Sequence, residues 1–253
     1  MIIDTHAHLT GEELAPLADE ILGRAQAKGV QKIVNICTDV QSLEKGLALA
    51  SRYNWVFNTA ATTPHDVEKE GESFFPLVEE AAKQKKLVAI GETGLDYHYE
   101  HSPKTTQQKF LLRYLALAVK YSLPAVFHCR DAFEDLFAMT DEVYKGRPAL
   151  LHCYTGSAQE AARAVDRGWM ISFSGILTFK KSEALREVAR AVPLSHIVVE
   201  TDAPYLSPQS MRGSPNEPAF ITETVEVLAR IKNLNPDEVA RATSENAIKF
   251  FSF

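Results

Sequence analysis

Two histidines one residue apart, His6 and His8, close the first apolar run of the chain, Met1-Ile2-Ile3-Asp4-Thr5-His6-Ala7-His8. In an extended strand, side chains at i and i+2 share a face. Two imidazoles so placed can grip one metal ion, and imidazole is the commonest side-chain metal ligand. Alone, a His-x-His pair also arises by chance on exposed strands. Other ligand-type residues, however, end later apolar runs: Glu92 in Val88-Ala89-Ile90-Gly91-Glu92, His128 in Ala125-Val126-Phe127-His128, His152 in Leu150-Leu151-His152, and Asp202 in Ile197-Val198-Val199-Glu200-Thr201-Asp202. One such residue is ordinarily a hydrogen-bonded structural group or a helix cap. Six of them, all at strand ends, are hard to assign to independent structural accidents.

A mixed imidazole and carboxylate set without thiolate suits Zn, Mn, Fe or Co, and holds Mg less tightly. Six donors are too many for one tetrahedral ion that keeps an open position. Two ions bridged by Glu92 account for them better. Such a pair, roughly 3.5–4 Å apart, clamps both oxygens of an in-line displacement and lowers the pKa of water toward about 7. Two divalent cations, two carboxylates and one hydroxide leave a centre of about +1, which attracts an anion such as a phosphate diester. Asp202, with an ordinary pKa near 3.9, is ionised and can accept a proton. Glu200 shares a strand face with Asp202; it orients a ligand, holds a further ion, or is simply an inward polar residue.

On the substrate side, Arg130 follows His128 and Arg212 sits in the late loop Ser210-Met211-Arg212-Gly213. Guanidinium matches phosphate bidentately. The run Tyr154-Thr155-Gly156-Ser157 opens a helix whose free N–H groups can bind phosphate or merely be capped. Tyr97, Tyr154 and Tyr205 lie near strand ends, where they can stack on bases or simply pack. Cys129 and Cys153, one residue past two of the histidines, are expected to turn away from the site as small buried hydrophobes. His196 starts the last strand, about 20 Å from Asp202, and is excluded. His101 has no supporting neighbour and is excluded too.

These residues need a scaffold that brings strand ends together. Apolar runs rich in Val, Ile and Phe predict strands at Ile2–His6, Lys32–Cys37, Trp55–Thr59, Leu87–Glu92, Ala125–His128, Ala149–His152, Trp169–Ser174 and His196–Glu200. Amphipathic stretches predict helices at Glu12–Lys28, Leu43–Arg52, Phe74–Gln84, Gln107–Tyr121, Phe133–Tyr144, Ala158–Arg167, Glu183–Ala191, Ala219–Ile231 and Asp237–Phe250. Ser157 with Glu160 forms a capping box, and Asn235-Pro236 a start signal. Eight strands alternating with helices predict an α/β fold, a (β/α)8 TIM barrel with its site at the C-terminal ends of the strands. The rival open doubly wound sheet lacks its Gly-rich loop after the first strand. The loop Pro204–Pro218, rich in Pro, Ser and Gly, reads as a lid or binding loop.

The 253 residues suit one domain, 1–253. A 45% apolar, 24% charged composition is that of a globular protein. No apolar run reaches the roughly 20 residues of a bilayer span, and no secretory signal is visible. Three cysteines without a motif predict reduced thiols and a cytoplasmic setting, with no membrane and no obligate protein partner. A net charge of −6 argues against nucleic-acid binding through the whole surface, though not at a local cationic site.

The chain resembles the TatD family of metal-dependent deoxyribonucleases along nearly its whole length. The matching stretches are Asp4-Thr5-His6-Ala7-His8, Gly91-Glu92-Thr93-Gly94-Leu95-Asp96-Tyr97, His128-Cys129-Arg130-Asp131-Ala132, His152-Cys153-Tyr154-Thr155-Gly156-Ser157 and Glu200-Thr201-Asp202-Ala203-Pro204-Tyr205-Leu206. Arg212-Gly213 and Asn216-Glu217-Pro218 match as well. The resemblance implies a barrel of the amidohydrolase superfamily with two or three divalent ions (Mg, Mn or Zn). It implies hydrolysis of DNA phosphodiesters, commonly as a 3′→5′ exonuclease on single strands or frayed ends. It implies that His6, His8, Glu92, His128, His152 and Asp202 bind metal, with Glu200 placing a further ion in some members. The chain departs from the family at Ala61-Thr62-Thr63-Pro64-His65, where Thr63 replaces the first histidine of Gly-x-His-Pro-His. His65 is retained on the substrate side.

Three rivals stand beside the nuclease reading. A cyclic-amide hydrolase of the same superfamily would bridge its metals with a carbamylated lysine on strand four, where this chain has Glu92. A hydrolase of small phosphodiesters or other esters needs the same charged centre, and the acidic net charge leans toward it. A barrel that has lost catalysis and serves as a binding protein would lack a ligand, and none is missing.

Overall fold

Branched apolar residues dominate the strands because both faces are covered, one by helices and the other by the barrel interior. The computed structural model describes residues 1–253. Eight strands, β1 (Ile2–Ala7), β2 (Val30–Cys37), β3 (Val56–Ala60), β4 (Ala89–Asp96), β5 (Ala125–Arg130), β6 (Ala149–Leu151), β7 (Met170–Phe173) and β8 (Ile197–Val199), pair in parallel in sequence order. Nine helices follow the chain: α1 (Ala18–Ala27), α2 (Val40–Arg52), α3 (Val67–Lys83), α4 (Lys104–Tyr121), α5 (Phe133–Val143), α6 (Ala158–Asp166), α7 (Glu183–Ala191), α8 (Ile221–Lys232) and α9 (Pro236–Phe251). The ring is a (β/α)8 barrel. It closes past the ends of β1 and β8, where Asp202 N–H donates to His6 O (2.9 Å) and His8 N–H donates to Ala203 O (2.7 Å).

The core has two parts. A cluster of 57 buried residues lies mostly between strands and helices. A second, of 10, joins Ile3, Val34, Ala89, Val126, Leu150 and Val198 from different strands to Phe250 and Phe251 of α9. The terminal helix therefore stoppers the barrel at the N-terminal ends of the strands, leaving the opposite mouth for the polar residues.

Two departures from expected element bounds have local causes. Residues 12–28 do not form one helix: Pro16 starts a short 3₁₀ turn, Ala15–Leu17, and α1 begins after it. The third helix starts seven residues early, at Val67, and carries Pro76 inside it. The charged run before Phe74 conceals that start, since only Val67 and Gly71 of that run are buried.

Candidate metal centre

Strand alternation counted from the interior residues would not by itself gather the ligands. Ile3 and Ala89 face the barrel interior, and a strict period of two would then turn His6 and Glu92 outward. Register shifts between Asp4 and Ala7 in β1 and between Ile90 and Thr93 in β4 change the phase. These irregularities re-aim the side chains beyond them. On β5 the plain alternation suffices, His128 following interior Val126 by two, and His152, one residue past β6, keeps step with interior Leu150; Asp202 lies beyond the end of β8, where the backbone leaves the strand conformation. Glycine lets β4 approach β5: a Cβ on Gly94 (φ +148°) would lie 1.9 Å from His128 O, and one on Gly91 (φ +155°) 2.6 Å from Val126 O.

All six expected ligands meet at one end of a cavity of about 710 Å³ at the C-terminal mouth. The two oxygens of Glu92 face two different donor sets. Oε2 lies 3.4 Å from His6 Nε2 and 3.8 Å from His8 Nε2. Asp202 Oδ1 completes that set, 3.6 Å from His6 Nε2 and 3.5 Å from His8 Nε2. The two imidazole nitrogens are 3.3 Å apart. Tetrahedral ligands about 2.0–2.2 Å from an ion are separated by roughly 3.3–3.6 Å, a spacing that four of these five contacts have; His6, His8 and Glu92 could together hold a divalent cation, and so could His6, His152 and Asp202. On the other side, Glu92 Oε1 lies 2.8 Å from His152 Nε2 and 3.0 Å from His128 Nδ1. Those two nitrogens are 3.3 Å apart. Asp202 holds a left-handed φ of 59°, a conformation that Asp tolerates better than most residues.

Further observations fit cations here. His6 and His152 stack at 3.9 Å between centroids, and two imidazolium rings in that arrangement repel. Of the five buried side-chain N or O atoms without a hydrogen-bond partner, four belong to His6, His65, His152 and Glu200. On His6 and His152 the orphaned atom is Nδ1, on the far side of the ring from the Nε2 that faces Glu92, so these orphans belong to the shell around the donor sets. Burial holds the His6 pKa below its ordinary value. Burial pulls the same way on His8, but the Asp202 carboxylate outweighs it and the pKa is raised. For His152, Glu92 and Glu200 overcome burial and raise it well above the ordinary value. Against its own burial, Glu92 is held well below the carboxylate range by His152, His128 and His6. The site thus combines an ionised Glu92 carboxylate with imidazoles, two of them favouring the protonated form, from which a divalent cation would displace protons.

The supporting groups were less visible in the sequence. Asp96 was not singled out, yet its Oδ2 lies 2.8 Å from His128 Nε2. Its Oδ1 accepts the backbone N–H groups of His98 (3.0 Å) and Tyr99 (2.9 Å). A carboxylate behind a ligating imidazole fixes its tautomer and orientation. The even spacing Glu92-x-x-x-Asp96 is the sequence signal for it. Asp4, also missed, accepts Thr201 Oγ1–H (2.6 Å) and Thr201 N–H (3.0 Å), tying the end of β8 to β1. Glu200 is fully buried; its Oε1 accepts Cys153 N–H (2.7 Å) and stands 3.4 Å from His152 Nδ1. It lies behind His152 and belongs to none of the groups that could hold an ion together.

The substrate-side residues divide. Arg130 and His65 line the cavity, and Arg130 is the only Lys or Arg that does. Its guanidinium lies over the Tyr99 ring, 4.8 Å from the centroid. Arg212, expected at the phosphate, is exposed, packs over Phe179 (4.7 Å) and does not line the cavity. Tyr154, expected to contact substrate, is 2% exposed and donates its hydroxyl to Ser157 O (2.6 Å). It packs against Phe133 and Phe173 because the chain after His152 turns it into the helix layer. Tyr97 likewise points away and donates to Asp135 Oδ2. The expectation for the thiols is corrected in the other direction: Cys129 and Cys153 both line the cavity. The left-handed backbone at Cys153 (φ 43°) breaks the simple alternation that would have turned it away. His101, set aside for lack of neighbours, lies 5.3 Å from the His65 ring. His196 is far from the cavity residues in the fold, with Nδ1 2.9 Å from Trp169 O.

Comparison with known proteins agrees with this geometry. A sequence profile described as TatD related DNase matches residues 3–252. The metal-dependent hydrolase YabD of Bacillus subtilis is 34% identical over 252 residues, covering 99% of both chains. The 3′-5′ ssDNA/RNA exonuclease TatD of Salmonella typhimurium is 32% identical over 256 residues, covering 99% of this chain and 98% of the other. Among solved structures, the TatD homologue YjjV from Escherichia coli K12 superposes with a TM-score of 0.93 at 29% identity, covering 100% of this chain and 98% of that one. The eight-stranded barrel, the ligand-type residues at its mouth and the match over nearly every residue place this chain in the TatD family of metal-dependent hydrolases.

Proposed function

We propose that the protein is a divalent-metal-dependent deoxyribonuclease that hydrolyses phosphodiester bonds in unpaired DNA, working from the 3′ end. The observation that carries the reading is the split of Glu92, one oxygen toward His6 and His8, the other toward His128 and His152. A carboxylate facing two donor sets is what a pair of ions needs as a bridge. When bound, Mg, Mn or Zn ions supply Lewis-acid polarisation of the phosphoryl oxygens and activation of water. The name of the Salmonella relative supports the choice of substrate and direction.

The chain's own groups have separable tasks in this scheme. His6, His8, Glu92 and Asp202 would hold one ion, and Glu92, His128 and His152 the other. Asp202, held ionised by His8 against its burial, accepts the proton of the attacking water. Arg130 offers a planar fork to the non-bridging phosphate oxygens, carried on the Tyr99 ring. His65, facing the cavity from the loop after β3, approaches the same anion. Asp96 and Glu200 orient His128 and His152 from behind. A second reading, a small phosphodiester as substrate, is favoured by one observation: Arg130 is the cavity's single fixed positive side chain, where long polyanions are usually met by several.

The test is hydrolysis of end-labelled single-stranded DNA, duplex DNA, RNA and bis(p-nitrophenyl) phosphate, each with Mg, Mn and Zn. Stepwise shortening of single strands from the 3′ end is the expected result. Turnover of the small diester with no cleavage of any polynucleotide would replace the reading with the second one.

A further inference from the structure

Large apolar side chains that remain in water are informative when they gather at a site. Eight such residues are well exposed here, and the two most exposed are Tyr205 at 55% and Tyr99 at 52%. Both line the metal cavity, and none of the other six does. Their situations differ. Tyr99 already carries Arg130 over its ring and lies parallel to His101, 2° between planes at 5.5 Å. Tyr205 meets a single aromatic ring, that of His8, edge to face at 5.6 Å and 72°.

Tyr205 is nonetheless held firmly. Its backbone N–H donates to Asp202 O (2.9 Å), and its carbonyl accepts Asn216 Nδ2–H (2.7 Å). Asn216 is 1% exposed, and the same Nδ2 also donates to Thr201 O (2.8 Å). The ring therefore stands on a fixed loop base, against a candidate metal ligand, with its outer surface in solvent. A rigid ring of this kind loses little entropy on stacking.

We infer that Tyr205 is a stacking platform for the nucleobase next to the scissile phosphate, on the side of His6 and His8, and so makes an unpaired base a condition for efficient cleavage. The inference rests on the nuclease reading and narrows it. The anion-attracting centre selects a phosphodiester, and a flat apolar surface beside it selects one that carries a planar heterocycle. A base inside a duplex has both faces covered by its neighbours and cannot use the ring. Stacking on an aromatic side chain is tolerant of base identity, so the predicted preference is for unpaired over paired nucleotides and not for one sequence.

The test crosses Tyr205→Ala with removal of the base. Steady-state cleavage of single-stranded oligonucleotides is measured with the metal-loaded protein, using intact strands and strands carrying abasic sites through the cleaved end. Tyr205→Ala is expected to raise KM on intact strands about tenfold. Abasic strands should raise the wild-type KM by a similar factor, and the two losses should not add. Tyr205→Phe keeps the ring and should restore KM on intact strands. Metal content by elemental analysis should stay at the wild-type level in all variants, which separates the effect from a disturbed His8. Equal KM for wild type and Tyr205→Ala on intact strands, or fully additive losses, would overturn the inference while the nuclease reading stands. Hydrolysis of bis(p-nitrophenyl) phosphate with no cleavage of any oligonucleotide would overturn both.

Discussion

Replacing Asp96 by asparagine separates the two donor sets, because Asp96 touches His128 and none of His6, His8 or Asp202. The side chain keeps its shape, and an amide oxygen can still accept from His128 Nε2–H. What is lost is the charge on a 2.8 Å contact. The wild-type carboxylate is held below its ordinary pKa, against the desolvation of burial, chiefly by the hydrogen bond from His128 and the backbone N–H of Tyr99, so it is ionised at neutral pH. A hydrogen bond to a charged group contributes about 1.5–3 kcal/mol and a neutral one about 1, so the change removes roughly 0.5–2 kcal/mol, or about 2- to 30-fold. Loss of such a carboxylate commonly costs about 10–100-fold in metal affinity or activity. The expected outcome is about tenfold weaker binding of one ion, with the other unchanged, read by calorimetric titration of Mn or Zn into metal-free protein. Two ions weakened equally, or neither, would refute the assignment of His128 to a separate donor set.

Three further outcomes follow from the same geometry. Glu92→Ala should abolish metal-dependent hydrolysis, by more than about a thousandfold, with little change in thermal midpoint; a folded variant that retains activity would remove the bridge. Arg130→Ala should raise KM for a polynucleotide by about tenfold or more, and Arg212→Ala by less than about threefold, since only the first lines the cavity; the reverse order in a KM comparison would place the late loop over the phosphate. Metal affinity should fall as pH drops from 8 to 6. The pKa values of His8, His128 and His152 are raised in the ion-free protein, so protons compete for these nitrogens already near neutrality, while buried His6 resists protonation. Calorimetry in buffers of different ionisation enthalpy should record proton release on metal binding at pH 7, and a pH-independent affinity would contradict it.

Much of the architecture was written in local pattern. Continuous apolar runs and period-3.6 apolar spacing carried the barrel, because a parallel strand buries both faces and a helix one, wherever each lies in space. The capping box at Ser157 and the helix start at Asn235-Pro236 appear as read, the second with a capping box of its own, since a cap is satisfied within one helical turn. Pro16 and Pro76 show the limit: one proline delays the start of a predicted helix and the other sits inside a helix, and only the packing around each decides which.

The site divides the same way. The types and strand-end positions of His6, His8, Glu92, His128, His152 and Asp202 determine, from the sequence by itself, that metal chemistry at a barrel mouth is available. Which nitrogen faces which carboxylate oxygen was decided elsewhere, by irregularities in β1 and β4 that reset side-chain direction and by glycine-permitted contact between β4 and β5. The same is true of Tyr154 in the core, Arg212 on the surface, and Asp96 behind His128. Spacing along a chain constrains neighbours within a turn or a strand, but the direction of a side chain after a bulge, and its partners across the barrel, depend on residues tens to hundreds of positions away.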